Sequence, residues 1–361
     1  MRLRFRSKLQ RLSVSVFSVL SLTLLTLTGC HRPLNSSSNG NGIYYWRTTM
    51  SLNEKEKEFL DRHNVTRLYV RFFDVDREFT ARQGEDVIPI ATIAMNDSLP
   101  EGVDVIPTVY ITTYAIERMQ LKEEEYAEKI LKRIDAMCRQ KGISYSEIQL
   151  DCDWTKNTRD TFYNLCRMVK SKMDSKRSLS STIRLHQLIQ IPPPVDKGVL
   201  MVYNTGNLKE MTTENSIFSL KDIEPYLRDN RLADYELPLD VAYPAYGWSV
   251  IYRPDSGKYH FDKLLRRTDF SNFKQLKKIG KNMYEVTDDV NFTPETNQWN
   301  DAYRGYRVRV ERPDAREILA VKKKIEAQLK DKPHSNILYH LDEAQLSHYS
   351  NHDIDKIYYC D

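Results

Sequence analysis

Two acids stand one residue apart in Ile148-Gln149-Leu150-Asp151-Cys152-Asp153-Trp154-Thr155. The start of this run is apolar, as a strand buried on both faces is. On a strand, residues two apart point to one face, so Asp151 and Asp153 share a side and Cys152 takes the other. Two carboxylates on the inner side of a sheet cannot both be buried and ionised without partners. Either they hold a cation, or they push one another's pKa upward and work as acid and base. Arg47, Arg71 and Arg184 close neighbouring apolar runs and are the cations within reach. An Asp–Arg network that plugs the site without doing chemistry is the structural alternative.

The elements that must position these groups alternate. Apolar, β-branched or aromatic runs occur at 43–47, 67–73, 104–112, 147–153, 179–186, 198–204, 239–246 and 336–341. Helical patterns lie between them, from Ser51 to His63, Tyr114 to Gln140, Asn157 to Met173, Leu220 to Leu227, Phe261 to Ile279 and Pro313 to Leu329. Ser51 and Glu54 have capping-box spacing, and Asn157 is placed to cap the third helix. Strand–helix alternation argues for a parallel sheet. Eight strands in a chain of this length argue for a closed α/β barrel of the (β/α)8 type, spanning 43–361. Two stretches fit poorly. Val87–Ile93 reads as an extra extended segment, and about 254–312 reads as a small α+β insertion.

In such a barrel the working residues stand at the C-terminal strand ends. That rule selects Trp46 and Arg47, then Arg71 and Asp74, then Tyr110. It goes on to Asp151, Asp153 and Trp154, His186, Tyr203 and Asn204, Tyr246 and Trp248, and a final acidic pair, Asp342 and Glu343. A lone His186 is more often structural than a base.

The strand-four run resembles the D-x-x-D-x-D-W-E motif of chitinase-like glycosidases. Asp151 and Asp153 match its second and third acids and Trp154 its tryptophan. Tyr203-Asn204 resembles that family's Tyr-Asp on strand six. Ile148 replaces the first acid, and Thr155 replaces the glutamate that donates the proton. The I-Q-x-D-x-D pattern is also similar to a family of bacterial lipoproteins with a glycosidase-like barrel. These resemblances imply a carbohydrate ligand. No Walker loop or G-x-G-x-x-G appears, so no cofactor is expected. A glycosidase needs two carboxyls across its cleft. Asp151 or Asp153 would supply one, and Asp74, Asp342 or Glu343 the other. Trp46, Tyr110, Trp154, Tyr203, Tyr246 and Trp248 would stack on sugar rings. Arg47, Arg71, His186 and Asn204 would supply polar contacts. Because Thr155 is no proton donor, a carbohydrate binder on a barrel without catalysis is the second reading. An envelope interaction protein is the third.

The N-terminus speaks to location. Residues 1–29 hold five basic residues and no acid, then an uncharged run ending Leu27-Thr28-Gly29-Cys30. A basic stretch, a short apolar core and small residues before a cut describe a secretory signal. The cysteine in this setting resembles a bacterial lipobox, which implies cleavage before Cys30, acylation of Cys30 and membrane attachment. His31 in place of Asp implies the outer membrane, facing the periplasm. Residues 30–42 form a Ser/Asn/Gly-rich tether. Without the leader, 49 basic residues face 50 acidic ones. Such a balance gives no support to nucleic-acid binding. His348 and His352 lie four apart, but no H-E-x-x-H or zinc-ribbon spacing appears, so no metal site is expected. The remaining cysteines, Cys138, Cys152, Cys166 and Cys360, read as buried thiols with room for one bridge.

Overall fold

The computed structural model describes residues 40–77, 87–97, 99–293 and 300–359. The leader, Cys30, all but the last residues of the tether, and Cys360 lie outside the described residues.

Eight strands close on themselves. They are β1 (Asn41–Tyr45), β2 (Val65–Arg77), β3 (Asp104–Ile111), β4 (Glu147–Cys152), β5 (Ser178–Arg184), β6 (Lys197–Met201), β7 (Leu239–Pro244) and β8 (Asn336–Tyr339). Each pairs in parallel with the next, and β1 pairs with both β2 and β8. The expected (β/α)8 barrel is therefore present. Its strands are apolar on both faces because one face lines the barrel and the other meets helices. Ile106, Val109, Ile148, Leu150, Val199, Leu200, Val241 and Ala242 are fully buried. The extra extended segment is a short strand, Val87–Ile90, antiparallel to β2.

The helix readings need four adjustments. The capping box at Glu54–Arg62 (α1) uses Asn53 and Glu56, two residues later than expected, because Ser51 is bound to Tyr45 instead. The expected helix over 114–140 is broken. Thr113–Arg118 and Glu123–Lys141 (α2) are separated at Leu121, whose φ is +65°. Asn157 does not cap Arg159–Lys172 (α3), where Thr158 takes that position. The expected helix over 261–279 is not formed. That stretch holds strands Lys258–Leu265 and Leu276–Lys278.

The insertion is thus a sheet, and it begins earlier than expected. Strands Trp248–Asp255, Lys258–Leu265, Leu276–Lys278, Met283–Val286 and Arg307–Glu311 pair antiparallel. Ser256 and Gly257, both at positive φ, turn the first hairpin, which is the geometry that matches strand twist. Phe261, Leu264 and Leu265 have helical spacing, but the hairpin decides. A separate small core of Ile251, Leu265, Phe270, Val286, Phe292 and Val308 supports the sheet.

The N-terminal end of the barrel is closed by charge. Arg67, Glu147, Lys197 and Asp240 lie near the starts of β2, β4, β6 and β7. Asp240 accepts from Arg67 at 3.1 Å and from Lys197 at 3.0 Å, and Lys197 reaches Glu147 at 3.1 Å. Burial alone would raise the Asp240 carboxyl, but Arg67 and Lys197 outweigh it and hold the pKa below the usual value. Outside the barrel, Cys138, Cys152 and Cys166 are buried free thiols, so no bridge forms among the described cysteines.

Candidate functional site

The C-terminal end of the barrel gathers most of the selected residues. β4 and β5 lie side by side, so Arg184 at the end of β5 reaches both strand-four acids. It donates to Asp151 at 3.2 Å through Nη2 and to Asp153 through Nε. Thr182 Oγ1 donates to the same Asp151 oxygen at 2.6 Å. Asp151 is 4% exposed, whereas the Asp153 side chain is 47% exposed. Burial raises the Asp151 carboxyl; Arg184 and Thr182 pull it back, and the charges of Asp153 and Asp74 push it further up. Burial alone would lower the Arg184 guanidinium, but Asp151 and Asp153 reverse that and fix it as a cation.

Two more arginine clamps flank the mouth. Arg71 grips the buried Asp74 with both ends of its fork, through Nε at 2.6 Å and through Nη2. Arg47 binds the buried Glu56 and lies 3.6 Å from Asp342. Of the carboxyls expected to act, Asp74, Asp151 and Asp153 are therefore all arginine-bound. The expected Asp–Arg pairs are present at the mouth.

Between the clamps runs a chain of aromatic rings. Trp46 meets Tyr339 at 5.8 Å and Tyr110 at 6.5 Å. Tyr339 meets Tyr203 at 4.9 Å and Tyr246 at 5.5 Å, and Tyr246 meets Trp248 at 5.6 Å. Arg71 covers Trp46 at 5.6 Å. Trp46, Tyr110, Trp248 and Tyr339 are partly exposed, whereas Tyr203 and Tyr246 are buried. The Tyr246 hydroxyl donates to Asn204 Oδ1 at 2.7 Å, and Asn204 sits at a positive φ, a conformation asparagine tolerates. Burial pushes the Tyr110 hydroxyl up to about 12, with the charges of Asp153 and Asp151 adding to it.

Several expected residues lie elsewhere. Trp154 is fully buried under α3, with its ring 5.4 Å from Tyr163 and 6.5 Å from Phe162, so it is core and not a sugar platform. Glu343 faces outward. Asp342 caps the short helix Glu343–Leu346 by accepting from Gln345 N, and this turn carries Glu343 to Lys55 on α1 at 2.6 Å. Glu343 lines a groove of about 230 Å³ with Lys55, Phe59 and Leu346, apart from the strand-four acids. His186 is exposed on the 3-10 turn Leu185–Ile189. Thr155 is exposed, and its hydroxyl accepts from Asn157 N at 3.3 Å in the turn ahead of α3.

Two residues were missed, Tyr339 and Glu311. Tyr339 is central to the aromatic chain. It ends β8, so the strand-end rule would have found it had the run not been drawn to Leu341. His340 follows it across a cis peptide, with burial pushing its pKa down to about 4. Glu311 ties the insertion to the barrel. It is buried and accepts from Trp248 Nε1 at 2.7 Å, Ser216 N at 3.0 Å and Arg309 Nε at 2.6 Å. Its signal was the alternation Arg307-Val308-Arg309-Val310-Glu311.

The Asp151 shift has a measurable consequence. The folded carboxyl holds its proton more tightly than the unfolded one. Relative to Asp151→Asn, the chain is then penalised at neutral pH, and the penalty is relieved as pH falls through the raised pKa toward the unfolded value of about 3.9. Unfolding free energies from pH 7 down to 4 should show the parent gaining on the variant; a constant difference would refute the shift.

The fold and the mouth together define an α/β barrel whose C-terminal face joins an aromatic floor to arginine-clamped acids. No protein-family model matches the chain, and no curated protein matches it. Among solved structures it is similar to the spore cortex-lytic enzyme SleL of Bacillus cereus, at 17% identity and TM-score 0.48, covering 88% of this chain and 74% of that one. It is similar to a chitinase from Chromobacterium violaceum, at 13% and 0.47, covering 85% and 96%. It is also similar to a class V chitinase from Nicotiana tobaccum, at 10% and 0.49, covering 86% and 98%. At these values nothing about the site is transferred from them.

Proposed function

We propose that the barrel mouth binds a carbohydrate, on a chain held at the outer membrane through acylated Cys30 and facing the periplasm. The observation that carries the ligand class is the aromatic chain from Trp46 through Tyr339 to Trp248. Sugar rings present apolar C–H faces that pack on aromatic ones, and their hydroxyls suit carboxylates and guanidinium groups that are already ordered. Fixed Arg–Asp pairs lose little freedom when a ligand arrives. The lipid anchor is supported by the leader and by the residues before Cys30.

Binding without cleavage is the reading preferred here, because Thr155 offers no proton and Asp153 is held by Arg184. Hydrolysis has one observation in its favour. Burial raises the Asp151 carboxyl, which is the direction a general acid requires. A panel of poly- and oligosaccharides separates the two, read by thermal shift and by reducing ends released. The expected result is a thermal shift without cleavage. Cleavage abolished by Asp151→Asn or Asp153→Asn would install the hydrolase instead. No shift and no cleavage across a broad panel would overturn both.

A further inference from the structure

The insertion carries a feature that the mouth does not use. Between residues 270 and 284 the chain has four lysines, Lys274, Lys277, Lys278 and Lys281, and no acid. All four are exposed. Lys274 lies in the turn ahead of the edge strand Leu276–Lys278, Lys277 and Lys278 lie on that strand, and Lys281 lies on the turn leading to Met283–Val286. The flanking acids Asp269, Glu285, Asp288 and Asp289 equal the lysines in number, but Asp269, Asp288 and Asp289 lie at the end of the hairpin away from its tip. Glu285 stands opposite Lys277, and Glu214 meets Asn282 through its backbone carbonyl at 2.8 Å. Phe270 and Phe273 anchor the segment through edge-to-face contacts with Phe292, at 5.3 and 5.5 Å between ring centres.

Lysines on a sheet edge also discourage edge-to-edge pairing, which would explain the charge alone. It does not explain Ile279. This residue sits at the turn between Lys278 and Lys281 and is 41% exposed. An isoleucine at the tip gains nothing from a soluble polyanion. It gains burial in the interfacial layer of a bilayer, and a lysine beside an anionic leaflet contributes about a fivefold factor in affinity. We propose that the 274–283 hairpin docks on an anionic phospholipid surface, with Ile279 entering the headgroup layer and the four lysines facing lipid phosphates. The contact rests on this hairpin alone and needs no acyl chain, and with one present it would fix how the barrel lies on the membrane.

The test is hydrogen–deuterium exchange of the full chain mixed with vesicles. One set is an equal mixture of phosphatidylglycerol and phosphatidylcholine, and the other is phosphatidylcholine alone. Amides of 276–286 should exchange at least about fivefold more slowly on the anionic vesicles. Replacing all four lysines by glutamine should abolish that difference, and Ile279→Ser should reduce it while leaving the charge intact. Equal exchange on both vesicle types would overturn the proposal. So would the same protection from soluble polyphosphate without vesicles, since that result describes a polyanion site.

Discussion

Arg184→Met should lower the unfolding free energy by about 3–5 kcal/mol, the usual cost of stripping one partner from a buried charge pair. Methionine keeps much of the side-chain volume, so the loss is electrostatic. Asp151 would be left with Thr182 alone, at 4% exposure. Asp153 suffers little, because its half-exposed side chain is solvated without help. Asp153→Asn should therefore cost no more than about 1 kcal/mol. The Arg184 variant should also recover on acidification. Without the cation, the Asp151 pKa rises further, and stability returns as pH falls through it. Denaturant unfolding at pH 7 and pH 5 reads both effects. A loss under about 1 kcal/mol would mean that Asp151 is already neutral in the folded chain.

Asp240→Leu should cost a similar amount, about 3–5 kcal/mol, at the opposite end of the barrel. The substitution leaves Arg67 and Lys197 near one another without their shared acid, and removes the acceptor of Ser335 N at 2.8 Å. Its pH dependence runs the other way. The folded Asp240 pKa is depressed, so its stabilisation is present above the ordinary carboxylate value and is lost as pH falls through the folded one. The gap between parent and variant should therefore narrow in acid. Binding at the mouth should be unchanged in whatever fraction remains folded. Lost binding in a folded Asp240 variant would show that the two ends are coupled.

Much of this architecture was legible because parallel barrel strands are apolar on both faces and so announce themselves as runs. Strands β1 to β8 fall within or beside the expected stretches. The strand-end rule also selects Trp46, Arg71, Asp74, Tyr110, Asp151, Asp153, Tyr246 and Trp248 from the sequence alone. What failed was local geometry that depends on a single residue. Leu121 at positive φ splits a helix whose apolar spacing runs unbroken. The Ser256-Gly257 turn converts a helical spacing into a hairpin. Asp342, by capping, rotates Glu343 out of the mouth. Trp154 was misplaced for another reason. The chain leaves the strand after Cys152, so strand alternation no longer says where residue 154 points. Thr155 lies in the exposed turn ahead of α3, where its hydroxyl accepts from Asn157 N, and strand alternation does not reach that far.

The most direct test of the central claim is calorimetric titration of the strongest ligand from the saccharide panel into the parent chain and Trp46→Ala. Trp46 is partly exposed and joins Tyr110 to Tyr339, so its loss opens the aromatic floor without touching a charge clamp. The expected result is a loss of about 2 kcal/mol, roughly thirtyfold in affinity, in a variant that still unfolds cooperatively. Unchanged affinity would place the ligand elsewhere and contradict the assignment of the mouth as the binding site.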